Sequence, residues 1–261
     1  MRIGAYPFRV TGDPDINFDH IKQGIEKAAK ADVRLLVFPE CAVTGYPPYC
    51  IKSASDIDQV AVERVHEKIG DLAVAHGMFL IVGTILGDGS RCFNAAIAFS
   101  PEGGRAVYRK RALWGWDRDN FSEGHDTGVL TIDELKIGIR ICFEVRFPEY
   151  FRELYQEHTD LNIILFYDAS DHEDHERYSL IKGHIRTRAV ENVCHTLTCN
   201  TAAPYQTAPT GLFDRSGKVL AELEAEKEDL LIYDLDPGPM NFGESGRKVI
   251  SDRICGQRSN P

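Results

Sequence analysis

No run of about 18 apolar residues occurs in the chain, which excludes a membrane-spanning helix. Basic residues are in the minority: 30 Lys and Arg stand against 40 Asp and Glu, a formal net charge of −10. Nowhere do the cations cluster as a nucleic-acid surface requires, so nucleic acid is not an expected partner. There is no CxxC pair, which disfavours a structural zinc site. The seven cysteines, at 41, 50, 92, 142, 194, 199 and 255, are odd in number and mostly set in apolar runs. That pattern fits reduced thiols of a cytoplasmic protein better than a disulfide framework. No secretory leader is recognised, because Met1-Arg2-Ile3-Gly4 opens directly into a short strand. No Pro/Gly/Ser-rich linker divides the 261 residues, so one domain over 1–261 is expected.

What is present alternates between strand and helix signals. A strand over 1–7 is followed by Asp13 and Pro14, a helix start, with apolar residues at Phe18, Ile21, Ile25, Ala28 and Ala29. A buried strand over 33–38 then delivers Pro39-Glu40 at its carboxyl end. The pattern predicts a helix over 56–76 closed by Gly77, a strand over 78–86, and a hairpin whose arms, 93–99 and 105–108, flank Pro101-Glu102-Gly103-Gly104. The second half repeats this plan: a buried strand over 161–166, a helix over 176–191, a strand over 193–198 and a hairpin around Asp214-Arg215-Ser216-Gly217. FSPEGGRAVY (99–108) and FDRSGKVLAEL (213–223) share an aromatic, a Gly-containing turn and a β-rich return. Two such halves packed sheet against sheet, with helices outside, form a four-layer αββα sandwich.

Three residues at strand or hairpin ends carry the chemistry. Taken alone, Glu40 is a loop acid, Lys110 a surface charge and Cys142 a small buried hydrophobe. Together they can act. A thiol reacts as thiolate and needs a base or a cation to become one. No histidine stands at a papain-like spacing from Cys142, but Glu40 can supply the base and Lys110 the positive charge. The backbone N–H of Phe143, at a strand-to-helix turn, is a second oxyanion donor in the manner of a nucleophile elbow.

These residues carry a family resemblance. LLVFPECAVTGY (35–46), VYRKRALW (107–114), IGIRICFEVRFPEYFREL (137–154) and IRTRAVENVCHTLTCN (185–200), with a weaker echo in GLFDRSGKVL (211–220), resemble motifs of the nitrilase superfamily of carbon–nitrogen hydrolases, in that family's order. The resemblance implies a nitrilase-like αββα sandwich, no cofactor and no metal, and a Glu40-Lys110-Cys142 triad. Glu40 would be general base, then acid towards the leaving amine, then base towards water. Cys142 would form a thioester, while Lys110 and the Phe143 N–H hold the oxyanion. Glu144 and Arg146 would orient the turn, with Arg146 pairing a carboxylate.

The departures from the family's pattern narrow the reading. A second glutamate that many members carry between lysine and cysteine falls here near Asp117, with Asp119 beside it and Glu123 beyond the aromatic Phe121. Asp117 is thus a candidate second acid or a solvated loop residue. The histidine usual after the lysine is Ala112. Where a Trp is common, the chain has Tyr167-Asp168-Ala169-Ser170, making Asp168 and Ser170 candidate substrate contacts or mere caps. Tyr46, which closes the first motif, is a third candidate contact. His172 and His175 offer a metal reading that the family chemistry does not need. Trp114 and Trp116 suit a pocket wall or a dimer contact better than an aromatic cage.

The leading reading is a cysteine hydrolase cleaving a small linear amide to an acid and ammonia or an amine. The alternatives are an N-carbamoyl amine or amino-acid amidohydrolase and, from another class, a catalytically silent binding protein. A homodimer or higher homo-oligomer is implied by the resemblance, with the helix over 148–157 as its place. Phe151, Leu154 and Tyr155 on that helix suit either a core or a partner face.

Overall fold

The computed structural model describes residues 1–257 of the chain. The first half runs β1 (Arg2–Ala5), α1 (Pro14–Lys30), β2 (Leu35–Val37), α2 (Gln59–His76), β3 (Phe79–Asp88), β4 (Arg91–Phe99) and β5 (Arg105–Arg109). A short helix, α3 (Trp116–Asn120), leads to the second half: β6 (Val129–Ile132), β7 (Leu135–Ile141), α4 (Pro148–Gln156), β8 (Leu161–Leu165), α5 (His175–Glu191), β9 (His195–Cys199), β10 (Gly211–Phe213) and β11 (Val219–Glu222). The chain closes with β12 (Leu231–Asp234) and α6 (Phe242–Gln257).

The strands form two six-stranded sheets, in the orders β12-β1-β2-β3-β4-β5 and β11-β10-β9-β8-β7-β6. In each, three parallel strands are flanked by one antiparallel strand and an antiparallel hairpin. The two halves therefore share one topology, and the turns after β4 and β10, whose sequences resemble one another, occupy equivalent places. Ile3, Leu35 and Ile81 of one sheet meet Ile139, Ile163 and Leu197 of the other in a core between the sheets. A second apolar layer lies under α1 and α2, and a third under α4 and α5. The result is the αββα sandwich, and it explains why β2 is apolar throughout and β8 apolar but for the buried Asn162: strands covered on both faces have no wet side.

Local chemistry fixes the helix ends. Asp13 accepts hydrogen bonds from the N–H groups of Asp15 and Ile16 at the start of α1. α2 begins at Gln59 rather than at 56, because Asp58 caps it while Ser53 caps a separate 3-10 turn over Ala54–Asp56. Gly77 ends α2 in the left-handed region, φ +61°. The sequence pattern did not single out α6, whose glycines dilute the helical signal. Its start is fixed by an exchange in which the Glu244 N–H donates to Asn241 Oδ1 and the Asn241 N–H to Glu244 Oε2.

On α4 the structure decides between the two faces left open by sequence. Phe151 and Leu154 are fully buried in the layer beneath α4 and α5, and the Tyr155 hydroxyl donates to Asp252 of α6. These residues form a core face, the first of the two alternatives that the sequence left open.

Where α1 packs on Tyr6, the Cβ that Gly24→Ala would add lies 2.5 Å from Tyr6 Cδ1 and 2.8 Å from its Cγ. Overpacking costs about 1–3 kcal/mol, whereas alanine gains only ~1 kcal/mol over glycine inside a helix. Gly24→Ala is therefore expected to lower the urea midpoint with an unchanged slope. A raised midpoint would mean that Tyr6 steps aside freely.

Candidate active site

The carboxyl ends of β2, β7 and β8 meet at the seam between the sheets, the position where open α/β sheets expose their loops. Two hydrogen bonds join the sheets there. The Glu40 N–H donates to the Phe166 carbonyl (3.2 Å), and the Tyr167 N–H donates to Glu40 Oε2 (2.7 Å). Glu40 Oε1 accepts from Asn94 Nδ2 (2.7 Å) and from Lys110 Nζ (2.8 Å). Lys110 follows β5 and reaches a second carboxylate, Asp117 Oδ2, at 2.7 Å, while the Tyr46 hydroxyl donates to Asp117 Oδ1 at 2.7 Å. Glu40, Lys110 and Asp117 are all buried. The Glu40 segment runs so close to β3 that a Cβ on Gly83 would lie 2.2 Å from the Pro39 carbonyl oxygen and 2.6 Å from Glu40 Cα. Only glycine lets Glu40 take this place.

Cys142 follows the last residue of β7 and opens a 3-10 turn over Cys142–Arg146. Its φ of +45° is left-handed, a conformation that costs a non-glycine residue roughly 1–2 kcal/mol. Surrounding bonds hold it. Glu144, fully buried, accepts from the Ile141 N–H (2.6 Å), the Arg111 N–H (2.7 Å) and the Tyr108 hydroxyl (2.6 Å). Since Tyr108 and Arg111 bracket Lys110, one carboxylate ties the lysine's strand to the cysteine's turn. From α5, Arg188 donates to the carbonyls of Val145 (2.9 Å) and Arg146 (3.3 Å). Phe143 is the second residue of the turn, where N–H groups lack partners within the turn itself. Arg146 departs from expectation. Among the described residues it pairs with no carboxylate; its guanidinium lies 5.8 Å from the centre of the Phe143 ring.

The electrostatics follow from burial. Desolvation raises the Glu40 pKa, Lys110 opposes the rise and Asp117 adds to it. Burial by itself would lower the Lys110 pKa, but Glu40 and Asp117 carry it well above its ordinary value. The Cys142 thiol is pushed well up by burial and by the charge of Glu40, against the pull of Lys110. At neutral pH it is a thiol, and it needs a base to become nucleophilic.

The other residues read from sequence fall around this cluster. Asp168 is buried, its Oδ1 accepting from Arg177 Nη2 and Thr207 Oγ1, each at 2.7 Å. The Ser170 hydroxyl donates to neighbouring Asp171 (3.4 Å). His172 and His175 are mostly exposed, paired with Asp171 and Glu173. Among the described residues no three His, Cys, Asp or Glu side chains gather so as to hold a metal ion. Tyr46 stacks on Tyr167 (5.2 Å between centroids), and exposed Trp116 meets Tyr49 edge-on (5.5 Å). Trp114 and Ala112 line a 370 Å³ cavity with Arg111, Glu123, Phe143 and Phe147. Sequence reasoning missed Asn94, the Tyr167 N–H and Arg177. Asn94 had a signal, as an amide inside the apolar run of β4; the other two are legible only in three dimensions.

A model of the carbon–nitrogen hydrolase family matches residues 2–241. The 2-oxoglutaramate amidase of Bacillus subtilis is 30% identical over 81% of each chain. A nitrilase of Pyrococcus abyssi is 31% identical over 57% of this chain and 58% of its own length. Among solved structures, an amidase of Nesterenkonia sp. AN1 from the nitrilase superfamily has the same fold at a TM-score of 0.83 and 22% identity, over 99% of this chain and 96% of that one. No described helix is long and apolar enough to cross a membrane.

Glu144→Gln places an amide where three donors converge, so one buried donor loses its acceptor, a loss of about 1–3 kcal/mol. The variant is expected to lower the urea midpoint and to speed proteolysis of the 142–146 turn. An unchanged midpoint would show that the turn does not depend on this carboxylate.

Proposed function

The chain belongs to the carbon–nitrogen hydrolase family and is an amidase-like hydrolase, and from that premise we propose a thiol-dependent enzyme that cleaves a small linear amide to a carboxylic acid and ammonia or an amine. The observation that carries this reading is the buried Glu40–Lys110–Asp117 cluster beside the strained turn of Cys142. In the proposed reaction Glu40 takes the Cys142 proton as the sulfur attacks the carbonyl carbon. Lys110 and the Phe143 N–H stabilise the resulting oxyanion. Glu40 returns the proton to the leaving nitrogen, the C–N bond breaks and a thioester remains. Water then attacks the thioester, giving its proton to Glu40, and the acid leaves as the thiol reforms. A raised pKa suits Glu40 to each of these transfers, because a base must compete for the proton of a buried thiol. Asp117 holds Lys110 as a second carboxylate, and Tyr46 fixes Asp117.

Amidases among the relatives support an amide, and a butyramide complex of the Nesterenkonia amidase supports a small one. Free thiols at Cys41, Cys50, Cys92, Cys142, Cys194 and Cys199 support a reducing, cytoplasmic setting. The homodimer implied by the resemblance would cover exposed apolar residues such as Leu180 on α5 and Val249 and Ile254 on α6.

Ammonia release from a panel of small amides and N-carbamoyl compounds is expected in the wild type and lost in Cys142→Ala, with the melting temperature retained. Release that survives the substitution would sink the thiol mechanism. The pH profile tests the base. Glu40 must be ionised in the free enzyme, so the acid limb of kcat/KM is expected above the usual carboxylate range. Asp117→Asn removes a negative neighbour that raises the Glu40 pKa and leaves Lys110 wholly to Glu40. Both changes favour the ionised form, so the limb should move to lower pH, and a limb that stays or rises would remove Glu40 from this role.

A further inference from the structure

Asp168 is more firmly held than a residue free to meet substrate. Its N–H donates to Asn200 Oδ1 (2.9 Å), and its carbonyl accepts from Asn200 Nδ2 (2.8 Å) and the Thr207 N–H (3.0 Å). Its Oδ1 is taken by Thr207 and Arg177. The residue before it, Tyr167, donates its N–H to Glu40. Asp168 is therefore a fixed mount one residue from the catalytic cluster, and what it mounts is a guanidinium.

Arg177 sits in the first turn of α5, where its N–H donates to the capping Asp174 (2.8 Å). One terminal nitrogen is committed to Asp168; among the described residues no other protein group accepts from the guanidinium, and the side chain is 44% exposed. Arg177 and Asp168 both lie within electrostatic reach of Cys142. The charge of Lys110 is shared between two carboxylates. A cation with open donors within electrostatic reach of the nucleophile, in a site that otherwise gathers Glu40, Asp117 and Asp168, gains nothing from a neutral aliphatic amide. It suits an anion, and a planar fork of N–H donors suits a carboxylate.

We propose that Arg177, mounted on Asp168, is a specificity-determining residue that binds a carboxylate carried by the substrate, so that the amide hydrolysed is an anionic one. This deepens the hydrolase reading and rests on it. The carboxylate can stand on the acyl side, as in the monoamide of a dicarboxylic acid, or on the nitrogen side, as in an N-carbamoyl amino acid.

The test compares kcat/KM for succinamic acid, N-carbamoylglycine and butyramide, the neutral match of the first. Wild type is expected to prefer one of the two acids, and which one assigns the side. Arg177→Gln should lower the ratio of that acid to butyramide roughly 10- to 100-fold, mainly through KM, the worth of one or two charge-assisted hydrogen bonds. Arg177→Lys, which keeps the charge without the fork, should recover part of the ratio. Preference for butyramide in the wild type would overturn the proposal, as would an equal loss on acid and neutral amide in Arg177→Gln, which would place Arg177 in the service of the thiolate or the fold. Silence of the wild type on every amide would overturn the hydrolase reading itself.

Discussion

A full positive charge at 1% exposure governs the architecture of this site. Lys110 is surrounded by protein, and an ammonium taken out of water is stable only where opposite charge meets it directly. Glu40 and Asp117 do so from two sides, each within 2.8 Å. Two carboxylates on one lysine leave an excess of negative charge, which further polar contacts must absorb. Asn94 and the Tyr167 N–H donate to Glu40, and Tyr46 donates to Asp117. These partners come from the ends of both sheets, so the cluster can exist only if the sheets are packed in one register. The same requirement makes Gly83 indispensable, since any larger residue would push Glu40 off the lysine.

The cysteine is placed by a second buried carboxylate with a different task. Among the described residues no cation pairs with Glu144; it gathers two backbone N–H groups and a phenol, and so joins the strand that carries Lys110 to the turn that carries Cys142. Left-handed backbone at Cys142 is tolerated because this bond set and Arg188 over-determine the turn. Charge fixes Glu40 and Lys110; hydrogen bonding fixes Cys142. The two devices meet only at Lys110 and its neighbours, which explains how one short segment, 108–111, contributes to both.

How far the sequence speaks depends on whether a residue's partners are local. The αββα plan was legible because its signals are local: apolar strands, capped helices and a repeated hairpin turn. Glu40, Lys110 and Cys142 were legible as strand-end residues in recognisable motifs, and Asp117 by its place before Phe121. Arg146 was misread because its companion is an aromatic ring one turn away rather than a carboxylate. Phe151 and Leu154 were ambiguous because a helix pattern shows an apolar face without showing what covers it. α6 was missed because its capping exchange between Asn241 and Glu244 is weak text beside three glycines. Arg177 belongs to no motif, and only its 2.7 Å bond to a buried aspartate marks it out.

Burial sets the order of events in the proposed chemistry. Thiol and base lie in one low-dielectric pocket, and each has its proton affinity raised by desolvation and by negative neighbours. An isolated thiolate there would face Glu40, Asp117 and Asp168, with Lys110 and Arg177 in its favour. Proton transfer to Glu40 leaves the cluster's total charge unchanged, moving one negative charge from oxygen to sulfur, so the step avoids the cost of creating a new buried ion. The charge on sulfur is then relieved as the C–S bond forms and reappears on the substrate oxygen, where Lys110 and the Phe143 N–H are positioned in this reading. A pocket so arranged holds its thiol unreactive until an electrophilic carbon is in place. It thereby links nucleophile activation to substrate binding through charge conservation alone.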